Sequence, residues 1–347
     1  MNYFQLFSIS YMTNSVMSEL PYYGLSNTEL QKQLTNDRLS MIFDNNEFVD
    51  YLNNLNSSCL LKELNFQYVT EEQLTAKLKK LDRNIELSVF HMNIRSLNSK
   101  QRQICQLFEL LDYEFDVIIL TEIWTVNINF YANLFTGYDF YYDLPQDSKV
   151  GGVGLFIRNT CTVHELPQYQ ILSTRTSVVE NKWVEVTKES RKYIIGGIYR
   201  HPNQNIADFT SLLEPVLNSI SDQKLPCIIA GDINIDLTKS RVNENTSRYV
   251  DSLLTNNFLP TVLMPTRITP SSATLIDHMY YFDGCGSQNK VAQSGNLLAD
   301  ISDHLPNFML ILHDKMEPAK RPKIRIMSNK NREKFCEKIS STDWSAV

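Results

Sequence analysis

Glycine and proline are scarce, at 11 and 12 of 347 residues. That excludes a collagen-like or low-complexity chain. No run approaches the roughly 18 apolar residues that a membrane span needs. The first eighteen residues, Met1 to Ser18, have neither a cationic start nor a small-residue cleavage pattern, so the chain reads without a secretory signal. Cysteines number six and are dispersed at positions 59, 105, 161, 227, 285 and 336. None has the close pairing of a zinc site, and an even count says little about disulfides in a chain this long. The reading is a reduced intracellular protein, for which the nucleus is one compatible compartment. Two common devices are also missing: no Gly-x-Ser-x-Gly elbow and no phosphate-binding Gly-Lys-Ser/Thr loop occurs.

What is present is globular composition, 43% hydrophobic and 21% charged, with a net charge of −6. The charge is uneven. Residues 1–84 carry seven basic and ten acidic side chains, residues 85–313 seventeen and twenty-four, and residues 314–347 nine and five. An acidic middle argues against wrapping nucleic acid by bulk charge, but leaves room for an enzyme that meets a few phosphates through a bound cation. Three segments follow. Residues 1–84 are Asn-rich and read as a helical, partly ordered extension. Phe48, Leu52 and Leu55 share a helical face there, and Thr70 to Gln73 form a capping box ahead of Leu74, Leu78 and Leu81. Residues 85–313 read as one α/β domain, and 314–347 as a basic linker.

Within the middle segment the apolar runs predict strands at Leu87–Met92, Asp116–Thr121, Gly152–Arg158, Trp183–Thr187, Tyr193–Tyr199, Cys227–Gly231, Leu275–Phe282 and Phe308–Leu312. Helical spacing relates Ile104, Leu107, Phe108 and Leu111, and again Phe209, Leu212, Leu213, Val216, Leu217 and Ile220. Mixed elements over this length suggest two packed sheets. Gly151-Gly152-Val153-Gly154 has no helical pattern after it, so it predicts a hairpin turn rather than a phosphate cradle.

The strands end in polar residues: Asn93, Glu122, Tyr199, Asp232 followed by Asn234, and Asp277-His278, with Asp303-His304 ahead of the last strand. Taken singly, Asn93 or Asp232 reads as a turn or cap residue, Tyr199 as core, and His304 as a satisfied structural histidine. Glu122 after Val-Ile-Ile-Leu-Thr is harder to dismiss, because a carboxylate at the end of a buried strand needs a partner or a cation. Strand ends gather at one edge of an α/β fold, so the set can converge. Carboxylates and amide oxygens make a hard-oxygen site that favours Mg²⁺, with Mn²⁺ as a substitute, over zinc. With a histidine and no activated serine or cysteine, the chemistry indicated is hydrolysis by water assisted by a metal.

Eight segments in order resemble the endonuclease/exonuclease/phosphatase superfamily, and most closely the apurinic-type endonuclease domain of Jockey-like non-LTR retrotransposons. They are 91–97 (HMNIRSL), 120–124 (LTEIW), 151–158 (GGVGLFIR), 198–203 (IYRHPN), 231–237 (GDINIDL), 265–269 (PTRIT), 274–278 (TLIDH) and 302–306 (SDHLP). The resemblance implies an α/β, DNase I-like four-layer sandwich of two mixed sheets flanked by helices. It also implies a metal-dependent endonuclease that nicks DNA; a monomer without a membrane partner is the expectation beside it. By the same resemblance Glu122 and Asn93 bind the metal, with Asp303 supporting the metal or the leaving group. Asp232 activates water, Asn234 positions it, and Tyr199 bonds the phosphate or nucleophile. His304 meets the scissile phosphate, held by Asp277; Thr266, Ser302 and Arg95 align more loosely as phosphate or DNA contacts. In such elements a segment like 314–347 leads into a reverse transcriptase, whereas this chain stops at Val347 without a Tyr/Phe-Ala-Asp-Asp signature. The competing readings are a phosphatase or lipid phosphodiesterase of the same fold, and an inactive transposon remnant. The first of these usually carries Trp-x-Gly-Asp-x-Asn and Trp-x-Asp-Arg segments, where this chain has Ala-Gly-Asp-Ile-Asn and Leu-Ile-Asp-His.

Overall fold

The computed structural model describes residues 47–54, 65–125, 127–145, 149–269, 271–284, 292–313, 336–338 and 340–341. Two compact units divide the chain, residues 1–313 and 314–347. Of the second, a helical turn is described, in which Ser341 N donates to Glu337 O.

The first unit holds the chemistry. Its main strands are β1 (Asn65–Val69), β2 (Ile85–Asn93), β3 (Val117–Thr121), β4 (Tyr138–Asp143), β5 (Val153–Arg158), β6 (Thr162–Glu165), β7 (Val179–Lys188), β8 (Arg191–Arg200) and β9 (Cys227–Asp232). Then come the short β10 (Leu259–Pro260), β11 (Arg267–Ile268) and β12 (Ala273–Thr274), and finally β13 (Asp277–Phe282), β14 (Ala292–Leu297) and β15 (Asn307–Leu312). The helices are α1 (Glu47–Asn54), α2 (Glu71–Leu81), α3 (Leu97–Leu111), α4 (Ile206–Gln223) and α5 (Glu244–Thr255). One mixed sheet runs β1-β14-β15-β2-β3-β5-β4, the other β10-β13-β9-β8-β7-β6, and β11-β12 form a ribbon. The fold is the DNase I-like sandwich.

The strands are apolar on both faces because both are covered. In β2, Leu87 and Val89 join the cluster that includes residues of the second sheet, while Phe90 and Met92 join α3 on the other side. In β3, Val117 and Ile119 alternate with Ile118 and Leu120 in the same way. This is why the eight apolar runs stand out as continuous rather than alternating strands, and all eight are strands here. Helix α3 buries Leu97, Ile104, Leu107 and Leu111. Helix α4 buries Phe209, Leu213, Leu217 and Ile220.

The site follows from two parallel pairs. Strand β2 leads through α3 to β3, its parallel partner, and β8 leads through α4 to β9 in the same manner. Parallel strands finish at the same edge, so Asn93 lies beside Thr121, and Tyr199 beside Asp232. Antiparallel β13 begins at that edge, which sets Asp277 opposite Asp232.

The expected boundary at residue 85 needs amending. Strand β1 pairs in parallel with β14, from Asn65 beside Gln293 to Val69 beside Leu297. The capping box forms, with Thr70 Oγ1 accepting from Gln73 N and Thr70 N donating to Gln73 Oε1. It starts α2, which buries Leu74 and Leu78. Residues 65–84 therefore belong to the packed unit. Helix α1 also packs, burying Phe48 and Leu52, while Leu55 lies outside the described residues.

At the edge away from Asp232, buried carboxylates tie the sheets together. Glu86 at the start of β2 accepts from Arg191 and Tyr193 of β8. Asp116, ahead of β3, accepts from Ser88 N and Oγ and from Lys188 Nζ of β7, each at 2.8 Å. Replacing Asp116 by alanine strands an ammonium and a buried N–H. The expected loss is about 2–3 kcal/mol, read as a lower urea midpoint at unchanged slope. A midpoint equal to that of the unaltered protein would show that the Asp116 tie contributes nothing.

Candidate active site

Three strand-end turns build the site from unusual backbone. Arg95 and Ser96 after β2, Glu122 and Trp124 after β3, and Asn234 after β9 all have positive φ, between 44° and 91°. Non-glycine residues rarely hold that conformation, and clusters of it mark places where side chains are aimed. Gly152, at φ +89°, lies in the link between β4 and β5, as the hairpin expectation had it. A Cβ there would sit 2.8 Å from Ile123 Cγ1, so glycine lets this link close over the Glu122 turn.

One amide joins two carboxylates. Asn93, fully buried, donates through Nδ2 to Glu122 Oε1 at 2.8 Å and to Asp232 Oδ2 at 2.7 Å. Its Oδ1 accepts from Arg95 N at 3.1 Å. Asp232 Oδ1 accepts from Asn234 N at 3.1 Å, and Asn234 Nδ2 donates to Arg200 O at 2.8 Å. Tyr199 is buried, and its neighbours in register are Asp232 on one side and Glu180 on the other. Burial, then Glu122, Asp232 and Glu180, push its hydroxyl well above the phenol range, so it stays a proton donor.

Asp277 Oδ2 accepts from His304 Nδ1 at 2.8 Å and from Thr266 Oγ1 at 2.6 Å. Burial alone would lower the imidazole, but Asp277, with help from Asp232 and Asp303, lifts it to about 9. His304 is therefore a cation at neutral pH. Burial raises Asp277 too, yet the histidine wins and holds it below the carboxylate range. Asp232 goes the other way. Burial first and the Asp277 charge second raise it to about 7, against the pull of His304.

Eleven residues were expected to form the site, and hydrogen bonds, ion pairs or strand register link them all. Three differ in what they hold. Thr266 is buried; its hydroxyl donates to Asp277 and accepts from Asp277 N, so it braces the aspartate. Ser302 donates to Asn93 O at 2.6 Å and accepts from His304 N, so it ties the two ends of the site. Asp303 has both oxygens in ion pairs, Oδ1 with Arg95 and Oδ2 with Arg267. Its carboxylate is arginine-bound, where support of the metal or the leaving group was expected.

A cation suits the donors. Carboxylate oxygens of Asp232 and Asp277 lie within 4.8 Å of one another, beside the protonated ring of His304. Asp277 Oδ1 is buried with no hydrogen-bond partner among the described residues. Glu122 and Asp232 are drawn together by Asn93. Oxygen donors of this kind favour a hard divalent ion.

Sequence reasoning missed Arg267 and Arg200. Arg200 is 1% exposed, and its guanidinium donates to Ile233 O and Asn234 O, each at 3.2 Å, and to Gln204 O. It thereby holds the Asn234 turn. Both arginines stand inside the quoted segments, and that position was the available signal.

Residues 90–304 match the Endonuclease/Exonuclease/phosphatase family. The chain belongs to that family. Among curated proteins none is significantly similar. Solved structures are. A family member from Bacteroides thetaiotaomicron is 15% identical with a TM-score of 0.51, over 66% of this chain and 95% of that one. A mannosyl-6-phosphatase from the same organism is 14% identical with a TM-score of 0.50, over 66% and 100%. The endonuclease domain of TRAS1, a telomere-specific non-LTR retrotransposon, is 15% identical with a TM-score of 0.49, over 65% and 97%. The first two share the fold of this member of the endonuclease/exonuclease/phosphatase family.

The site makes metal-free stability depend on pH. Asp232 and His304 both have folded values above their ordinary ones, so each favours the folded state while protonated. The Asp232 contribution fades from about 3.8 to about 7, and that of His304 from about 6.5 to about 9. Buried His278 and His91, whose values are lowered by burial, add stability as pH rises toward 6.5, so with a chelator present the net fall in melting temperature is expected as pH rises from about 6.5 to 9. Asp232→Asn should remove the lower part of that fall and His304→Gln the upper part. A flat profile in the unaltered protein would contradict these shifts.

Proposed function

We propose that this family member is a Mg²⁺-dependent DNA endonuclease of the kind found in non-LTR retrotransposons, nicking one strand and leaving a 3′-hydroxyl. The observation that carries the reading is geometric: at one strand edge Asn93 holds Glu122 and Asp232 together, and Asp277, opposite Asp232, holds His304. Asp232, at about 7, is poised to take a proton from water. His304, charged and held by Asp277, is poised to stabilise negative charge on a phosphodiester.

The other groups divide the remaining work. Asn234, fixed by Arg200, positions the water beside Asp232. Tyr199 supplies a hydroxyl proton to the phosphate. Asn93 keeps the two carboxylates at a set spacing. Glu122, with Asn93 beside it, would hold the divalent ion, which when bound supplies charge neutralisation and lowers the pKa of bound water. Nuclease over phosphatase is supported by the order of the eight segments and by the absence of tryptophan before Gly231-Asp232. The net charge of −6 supports an enzyme that meets nucleic acid locally rather than by bulk charge, and it is read as a monomer. No helix among the described residues is long and apolar enough to cross a membrane. Residues 314–347 are read as a connector of the kind that joins such domains to a polymerase.

Supercoiled plasmid with Mg²⁺ is the direct test. Asp232→Ala and His304→Ala should each slow nicking by ~10²-fold or more, as for lost acid–base groups, and EDTA should abolish it. Nicking at the unaltered rate in both variants would defeat the site assignment. Faster turnover of a sugar or inositol phosphate than of plasmid would favour a phosphatase instead.

A further inference from the structure

Asp303 and its two arginines are not used by the reaction described above. Arg95 Nη1 lies 2.9 Å from Asp303 Oδ1. Arg267 forks onto the other oxygen, with Nε at 2.8 Å and Nη2 at 2.7 Å. The arrangement stands at the rim, with the Arg95 and Arg267 side chains 46% and 40% exposed. Two guanidiniums against one carboxylate leave one positive charge in excess, on a chain of net charge −6.

The backbone ties both arginines to the catalytic groups. Arg95 N donates to Asn93 Oδ1, and the turn that carries it is set by positive φ at Arg95 and Ser96. Arg267 forms a β-bridge with His304, and Leu305 N donates to Thr266 O at 2.7 Å. Neither can drift far from the reacting edge. A guanidinium offers five N–H donors. Among the described residues Arg95 spends one on Asp303 and Arg267 two. The rest remain for a ligand that is anionic, planar in its acceptor geometry and at the rim, which is what a phosphate oxygen pair presents.

We propose that Arg95 and Arg267, braced by Asp303, form a second phosphate subsite. It would take the phosphodiester next to the one at His304. This rests on the nuclease reading and narrows it. A small phosphomonoester has nothing to place there, whereas a nucleic-acid strand brings a neighbouring phosphate of necessity. The substrate class is therefore a polynucleotide held at two successive phosphates. Asp303 acts as the brace that holds the two side chains at one carboxylate.

The test is the salt dependence of binding, measured by fluorescence anisotropy on the full chain with a short labelled DNA duplex, in EDTA to prevent turnover. Each phosphate neutralised contributes about −0.9 to the slope of log K against log salt. Arg267→Gln and Arg95→Gln should each make the slope shallower by about that amount, and weaken binding evenly across sequences. Arg267→Lys should keep the slope, because the charge is kept. Lys192→Gln serves as control: its residue lies seven positions back along β8 from Tyr199, about 23 Å at strand spacing, and should leave the slope unchanged. Arginines that only braced the fold would lower the melting temperature without altering the slope. Unchanged slopes in both glutamine variants, with the unaltered protein binding normally, would overturn the subsite alone. No measurable affinity of the unaltered protein for duplex would overturn the nuclease reading, and the subsite with it.

Discussion

Burying carboxylates next to one another is expensive, and this structure does it at the edge where Asp232 and Asp277 face each other across β9 and β13. What makes the arrangement tolerable is the His304 imidazolium, in contact with Asp277 and near Asp232. Without a cation in that position the two aspartates could not both ionise. The compensation is incomplete, since Asp232 still rises to about 7. That residue of frustration is useful. A carboxylate that titrates near neutrality can accept a proton, and a cation held by its neighbour can meet the charge that develops on a phosphate.

The two edges of the sandwich show what differs between structural and functional burial of charge. At the far edge Asp116 is buried too, but Lys188 and two Ser88 donors answer it. At the site edge Asp277 keeps one oxygen without a partner among the described residues, and the three turns around it hold positive φ. Local conformations that cost energy persist there because packed strands on both sides fix them. The tight edge anchors the sheets, and the strained edge is left able to bind and react.

Much of this was legible in the sequence because the strands that matter are buried on both faces. Runs such as Val117–Thr121 and Cys227–Asp232 have no polar alternation to obscure them, and each ends abruptly in a chemical residue. The strands that escaped notice read differently. Strand β1 is NFQYV within an Asn-rich stretch, β14 is AQSGNL, and β4 is YDFYYD with no residue fully buried. Their place comes from neighbours in the sheet, as with β1 on β14. Helix α5 carries ENTSRYVDSLLT, whose buried face of Thr246, Tyr249, Val250 and Leu253 is broken by polar residues. The residue types of the site could be read from strand ends, but the partner of each could not. Asp303 beside His304 looks like a metal carboxylate until Arg95 and Arg267, 208 and 36 positions away, are seen to occupy it. Likewise Thr266 and Ser302 look like phosphate contacts until their hydroxyls are found on Asp277 and on the Asn93 carbonyl.

The account depends most on the charge state of one imidazole. An NMR titration of the His304 ring in metal-free protein measures it directly. The ring should remain protonated through neutral pH and titrate near 9, and Asp277→Asn should bring it down toward the ordinary histidine value. A ring that already loses its proton at or below pH 6.5 in the unaltered protein would contradict the account.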